Sequence, residues 1–297
     1  MTEEEDPFEH TRMSLGEHLN ELRSRLVRGL LAVGLAFFAC WAVRDDIQGL
    51  VLRPYHRSTT MLEEHYVERA QEILAADPER ARTEFFVSDD PSDLRLRNFD
   101  PRAQGIRPGE HFFFTLKICL YCAIFLGAPV LLWQLWQFIA AGLYRGERRA
   151  IAGYFPLSVG LFLVGVGFGY FLMVPYALYF LNRDAPIELI DIQITLEGYL
   201  TFISSLCLAF GGVFQLPLVM SFLGGAGVVE PADLARYRGH FIVGAFIVAA
   251  ILTPPDPFTQ LMLGVPMIAL YEVGIWAARL AARRRDAVPS VGSGGAT

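Results

Sequence analysis

Lysine is almost missing from this chain. Of 25 basic residues in 297, 24 are arginine, and Lys117 is the single exception. Against 31 acidic residues the formal net charge is −6, and no basic cluster falls on a stretch that reads as a soluble domain. That argues against nucleic acid as a partner. There are four cysteines, Cys40, Cys119, Cys122 and Cys207, and none lies in a polar loop. A disulfide framework is not indicated; buried thiols that pack as small hydrophobes are. Cys119 and Cys122 have redox-motif spacing, but with no second pair inside an apolar block that spacing carries little. No nucleotide-binding loop, no Ser/His/Asp constellation and no metal-ligand cluster stands out, so neither catalysis nor a cofactor is expected. A basic leader is absent too: the chain begins Met1-Thr-Glu-Glu-Glu-Asp, acidic where a cleavable signal is positive. The first apolar block is therefore expected to stay as a span.

What the chain has in abundance is long apolar runs. Hydrophobic residues make up 53% of it, with a mean hydropathy of +0.37. The runs approach the roughly 20 residues that a helix needs to cross a bilayer. The expected fold is an all-α polytopic membrane protein with six transmembrane helices, the last two short. Residues 1–13 read as a disordered tail and 286–297 as a second tail. Ser14-Leu-Gly-Glu17 has the form of a capping box. It opens an amphipathic surface helix, with Leu15, Leu19, Leu22 and Leu26 on one face, that runs into span one at about 26–43. Residues 44–111 carry ten Arg and fourteen Asp or Glu. They read as an enlarged external loop with one short helix over 67–74 and breakers elsewhere. Spans two, three and four are expected at about 113–139, 150–174 and 199–223. The Gly165-x-Gly167-x-Gly169 run in span three has dinucleotide-binding spacing but no preceding strand, so close helix packing is the reading. Spans five and six, 241–252 and 258–271, hold about 12–16 apolar residues each, which calls for a thinned bilayer or a re-entrant hairpin.

Arginine sets the orientation. Arg23, Arg25 and Arg28, then Arg145, Arg148 and Arg149, then Arg236 and Arg238, then Arg279 and Arg283 to Arg285 fall on one side; the opposite short loops hold Arg183. Both termini are therefore expected in the cytoplasm.

Polar residues at membrane depth are costly and mark candidate sites. Gln215, beside Phe214 in span four, either satisfies the carbonyl that Pro217 leaves unpaired or contacts another helix. Glu272 in span six is a snorkelling carboxylate or a functional one, with Arg279 two turns away. Asp256, after Pro254 and Pro255, is placed to cap the last span. Glu21 pairs with Arg25 at i,i+4 or serves a ligand. Glu147 favours the start of span three through the helix dipole or serves a ligand.

Five strings, in order and at matching spacing, resemble one family. They are Glu17-His-Leu-Asn-Glu21-Leu-Arg23-Ser-Arg25, Gln137-Phe-Ile-Ala-Ala-Gly-Leu-Tyr144-x-x-Glu147-Arg-Arg149, Phe210-Gly-x-x-Phe214-Gln215-x-Pro217, Leu252-Thr-Pro254-Pro255-Asp256, and Tyr271-Glu272-x-Gly274. Together they cover about 14–56 and 109–280 and resemble TatC, the core subunit of the twin-arginine protein translocase. The resemblance implies six helices forming a curved, concave wall. It implies a receptor in the bacterial inner membrane for signal peptides carrying two arginines on folded cargo. Such a receptor self-associates, works with single-span TatA- and TatB-type partners, and is driven by the proton-motive force. It also implies that Glu147 receives the arginine pair with Glu21 assisting and Arg23 beside them, that Phe214 and Gln215 meet a partner helix, and that Pro254, Pro255, Asp256 and Glu272 shape the assembly. Gln215 stands where the family usually has Glu and Ala141 where it usually has Pro, and the 57–108 loop is far longer than usual. The rival reading is a secondary transporter or channel for a small solute, which would show inverted repeats and a polar midplane site.

Overall fold

The computed structural model describes residues 15–77, 79, 108–141, 148–184, 194–253 and 256–286. They form ten α-helices and one π-helical segment. In chain order these are α1 Leu15–Ala42, α2 Arg44–Ala76, α3 Glu110–Ala141 and α4 Arg148–Phe168. A π-helical turn, Gly169–Met173, joins α4 to α5, Val174–Asn182. Then come α6 Leu196–Val213, α7 Leu216–Gly225, α8 Pro231–Arg236, α9 Arg238–Leu252 and α10 Pro257–Asp286. Among the described residues, five stretches are long and apolar enough to cross a membrane: 20–42, 110–139, 153–182, 196–225 and 257–285. The shorter apolar helix is α9.

Two expectations are corrected. Residues 44–76, read as loop apart from one short helix, are one helix of 33 residues. Its buried residues are Pro54, Tyr55, Ser58, Thr59, Leu62, Tyr66 and Ala70, a 3.6-residue stripe. Ser58 and Thr59 hid the period, because their hydroxyls donate to the Tyr55 and His56 carbonyls and so are buried without loss. Pro54 does not break the helix. It leaves the Leu50 carbonyl without its usual donor, and the Tyr170 hydroxyl donates there instead. The last helix does not stop at Glu272 either. α10 runs 30 residues, so of the last two helices α9 alone is short.

The chain packs as two compact units. One comprises residues 1–44 and 119–160. There α1 meets α3 through glycine: a Cβ on Gly29 would fall 2.7 Å from Leu131 Cδ2, and one on Gly127 3.0 Å from Val33 Cγ2. Trp136 stacks on Tyr154 at 5.6 Å, and Trp133 meets Phe155 edge-on at 4.8 Å. Cys40 and Cys119 are buried free thiols. The outer face of α1, including Leu26, Leu30, Leu31, Leu35 and Phe38, is bare, as a lipid-facing helix requires.

The other unit comprises 45–118 and 161–297. Its centre is glycine-mediated as well. A Cβ on Gly165 would lie 2.5 Å from the Phe210 carbonyl oxygen, and one on Gly169 3.2 Å from Cys207 Cα. Gly167, between them, faces away. The expected close packing of this run is what the structure has, and Gly165 and Gly169 are the small-xxx-small pair that permits it. α7 and α10 approach likewise, with Gly224 against the Ala278 carbonyl and Gly274 against Met220 and Pro217.

Candidate functional site

Glu21 lies on α1, two helical turns into the chain's first described segment. Its carboxylate is half-buried. Oε1 accepts from the Arg25 guanidinium, through Nε at 3.2 Å and through Nη2. Among the described residues Oε2 is buried with no hydrogen-bond donor. A buried carboxylate oxygen left unsatisfied costs of order 1–3 kcal/mol or more, so this acceptor is poised for a cation. Arg23 is exposed on the same helix. Glu147, with the rest of 142–147, lies outside the described residues, as do Pro254 and Pro255.

Gln215 sits at a break in the fourth span. α6 ends at Val213 and α7 begins at Leu216, with Pro217 in its first turn. The Gln215 backbone N–H turns back to the Gly212 carbonyl at 3.0 Å, which is how a half-buried side chain comes to the corner of the helix. Phe214 packs within the chain: its ring lies 5.6 Å from that of Phe168, and its Cβ lies under Gly165.

Asp256 does what its position after the proline pair suggested. Its Oδ2 accepts from the Thr259 N–H at 2.8 Å and caps α10. Glu272 finds a partner that linear spacing did not reveal. Arg238, at the head of α9, grips it with two hydrogen-bonding groups, Nε to Oε1 at 2.7 Å and Nη2 to Oε2 at 2.9 Å. This bidentate pair joins α9 to α10. Below it Phe241 stacks on Tyr271 at 4.0 Å, and the Tyr271 hydroxyl donates to the Leu234 carbonyl at 2.8 Å.

Sequence reasoning missed a set of side chains that hold α2 in place. The Tyr199 hydroxyl donates to the Val51 carbonyl at 2.6 Å, while its ring meets Tyr55 edge-on. Tyr66 donates to the Asn182 carbonyl. Pro175 offers no N–H to the Phe171 carbonyl four residues back, and Arg57 Nη1 reaches that oxygen at 3.4 Å. Away from α2, Lys117 on α3 pairs with Glu197 on α6 at 2.7 Å. The signal for the Arg57 contact, as for that of Tyr170 on the Leu50 carbonyl, was present: a proline inside a helix orphans one carbonyl, which here a distant side chain answers. No group of three or more His, Cys, Asp or Glu among the described residues is arranged to hold a metal ion.

Residues 17–266 match the family of Sec-independent protein translocase protein, TatC. The chain belongs to the TatC family. The TatC of Desulforapulum autotrophicum is 33% identical over 285 residues, covering 96% of this chain and 88% of that one. The TatC of Aquifex aeolicus is 31% identical and covers 93% and 99%; that of Escherichia coli K12 is 32% identical and covers 88% and 86%. A crystal structure of the twin-arginine translocase receptor TatC matches with a TM-score of 0.67 at 30% identity, over 90% of this chain and all of that one. As a TatC, the chain is a multi-pass membrane component of a protein translocase rather than an enzyme, and the solute-transporter reading is not favoured.

Proposed function

We propose that this TatC is the signal-receiving core of a twin-arginine translocase in a bacterial cytoplasmic membrane, with both termini in the cytoplasm. It takes up the two arginines of a signal peptide on folded cargo and engages TatA- and TatB-type single-span subunits and further copies of itself, under the proton-motive force. Glu147 receives the arginine pair, Glu21 assists and Arg23 borders them. The observation that carries the reading is the Glu21 carboxylate. It sits in the family's N-terminal signature, holds one arginine already and keeps a second oxygen buried without a donor among the described residues. A guanidinium offers parallel N–H groups that fit carboxylate oxygens, which an ammonium does not reproduce. Gln215 and Phe214 stand at the corner of the fourth span, where a partner helix has polar and aromatic groups to meet. Gln215 carries no charge at any pH, so proton uptake does not run through it.

The test is the affinity of purified protein for a signal peptide with two arginines and for the same peptide with two lysines. Strong preference for arginine, reduced by Glu21→Gln and abolished by Glu147→Ala, supports the assignment. Equal binding of both peptides would refute it.

A further inference from the structure

The last 14 residues of α10 divide cleanly by face. Gly274, Ile275, Ala278 and Ala282 turn inward and are buried. The outward arc carries Val273, Trp276 and Leu280, which are 51%, 66% and 41% exposed. Along the same arc follow Arg279, Arg283 and Arg284, all exposed. None of these three arginines makes an ion pair or hydrogen bond among the described residues. The carboxylate that shares their side of the helix, Glu272, is already held at both oxygens by Arg238. Arg285 differs. It lies across Gly227, a turn glycine at φ +72°, with Nη1 2.4 Å from where a Cβ would be, and so belongs to the fold. Neighbouring α8 and the turn before it bring Glu230, Asp233 and Arg236, a net single negative charge that leaves most of the cluster's positive charge in excess.

An exposed tryptophan at the end of an apolar helix sits at the level of lipid headgroups. At 1.5 Å per residue, Arg279 lies about 4.5 Å beyond Trp276, and Arg283 and Arg284 about 10–12 Å beyond it. That is where headgroup phosphates are, and where long arginine side chains snorkel. Three free guanidiniums placed there, continuous with an apolar face, complement negative charge.

We propose that this face of α10 is a binding site for anionic phospholipid headgroups, with Trp276 and Leu280 against the acyl chains and Arg279, Arg283 and Arg284 on the phosphates. Arginine grips a phosphate through two parallel N–H groups where lysine acts as a point charge. Occupancy would fix the depth and rotation of α10, the helix against which α7 and α9 pack. The inference rests on the membrane placement of α10 and on no part of the signal-peptide assignment.

The experiment is native mass spectrometry of the full chain in detergent, titrated with phosphatidylglycerol or phosphatidylcholine. We compare the unmodified protein with Arg279→Gln/Arg283→Gln/Arg284→Gln and with the corresponding triple lysine variant, which keeps the charge and reports on folding. Each cation near an anionic surface contributes roughly fivefold, so the triple glutamine variant should bind phosphatidylglycerol on the order of 100-fold more weakly. The lysine variant should fall between it and the unmodified chain, and phosphatidylcholine binding should not change. Phosphatidylglycerol binding unchanged in the glutamine variant overturns the proposal. Displacement of the lipid by millimolar inorganic phosphate overturns it in favour of a free-anion site. Binding that appears only after removal of the acidic residues 2–9 overturns it for the intact chain and assigns the cluster to that segment.

Discussion

Three glycines in one run, Gly165, Gly167 and Gly169, give a graded test of how the third and fourth spans meet. A Cβ on Gly165 falls 2.5 Å from the Phe210 carbonyl oxygen and 2.9 Å from Phe214 Cβ. The oxygen belongs to helix backbone and cannot swing aside, so Gly165→Ala must part α4 and α6 by nearly an ångström. Overpacking of this kind costs about 1–3 kcal/mol, and a backbone neighbour puts it at the upper end. At Gly169 the nearest atom is Cys207 Cα at 3.2 Å. A shift of a few tenths of an ångström suffices there, and the gain in helix propensity, about 0.5–1 kcal/mol, offsets much of it. At Gly167 the nearest atom is 3.9 Å away, on the flexible Phe171 ring, so Gly167→Ala should be neutral or slightly stabilising. The buried thiols provide the assay: a thiol-reactive fluorophore reports unfolding in detergent as Cys40, Cys119 and Cys207 become accessible. The expected order of melting temperature is Gly167→Ala highest, Gly169→Ala near the unmodified chain, Gly165→Ala lowest by several degrees. Equal losses at all three, or the largest loss at Gly167, would refute the packing described.

Further expectations concern single contacts. Tyr199→Phe removes the donor to the half-buried Val51 carbonyl and should cost about 1 kcal/mol in the same assay, while Tyr176→Phe, on an exposed ring, should cost nothing measurable. Asp256→Ala removes the cap on Thr259 and should cost about 1 kcal/mol, with Asp256→Asn recovering most of it; equal losses for both would show that the side-chain acceptor is not what matters. Gln215→Leu should lower co-purification of a single-span partner and leave signal-peptide binding intact, and unchanged partner recovery would remove Gln215 from that contact.

The parts legible in the sequence were those set by local rules. Apolar length located the spans, the glycine run signalled a close approach, and Asp256 after two prolines signalled a helix cap; each depends on residues within a few positions. α2 was illegible because its buried stripe contains Pro54, Ser58 and Thr59; the two hydroxyls are satisfied three residues back, but Tyr170, which answers the carbonyl that Pro54 orphans, lies 120 residues away. Glu272 was read against Arg279 on its own helix, whereas its partner Arg238 stands 34 residues back. The full length of α10 was missed for the same reason: a carboxylate that seems to end an apolar helix does not end it once a guanidinium from α9 neutralises it. Of the residues proposed to receive the signal peptide, Glu21 could be named from its motif. Its buried Oε2, without a donor among the described residues, is a three-dimensional property with no linear trace.

Photo-crosslinking in energised membranes asks whether the Glu147 and Glu21 carboxylates receive the two arginines of a signal peptide. A signal peptide carrying a photoreactive residue beside its two arginines is mixed with membranes containing the unmodified chain or Glu147→Ala. The expected crosslink needs both arginines, weakens with Glu21→Gln and is lost with Glu147→Ala. A crosslink that survives Glu147→Ala, or that forms equally with lysines in place of the arginines, would contradict it.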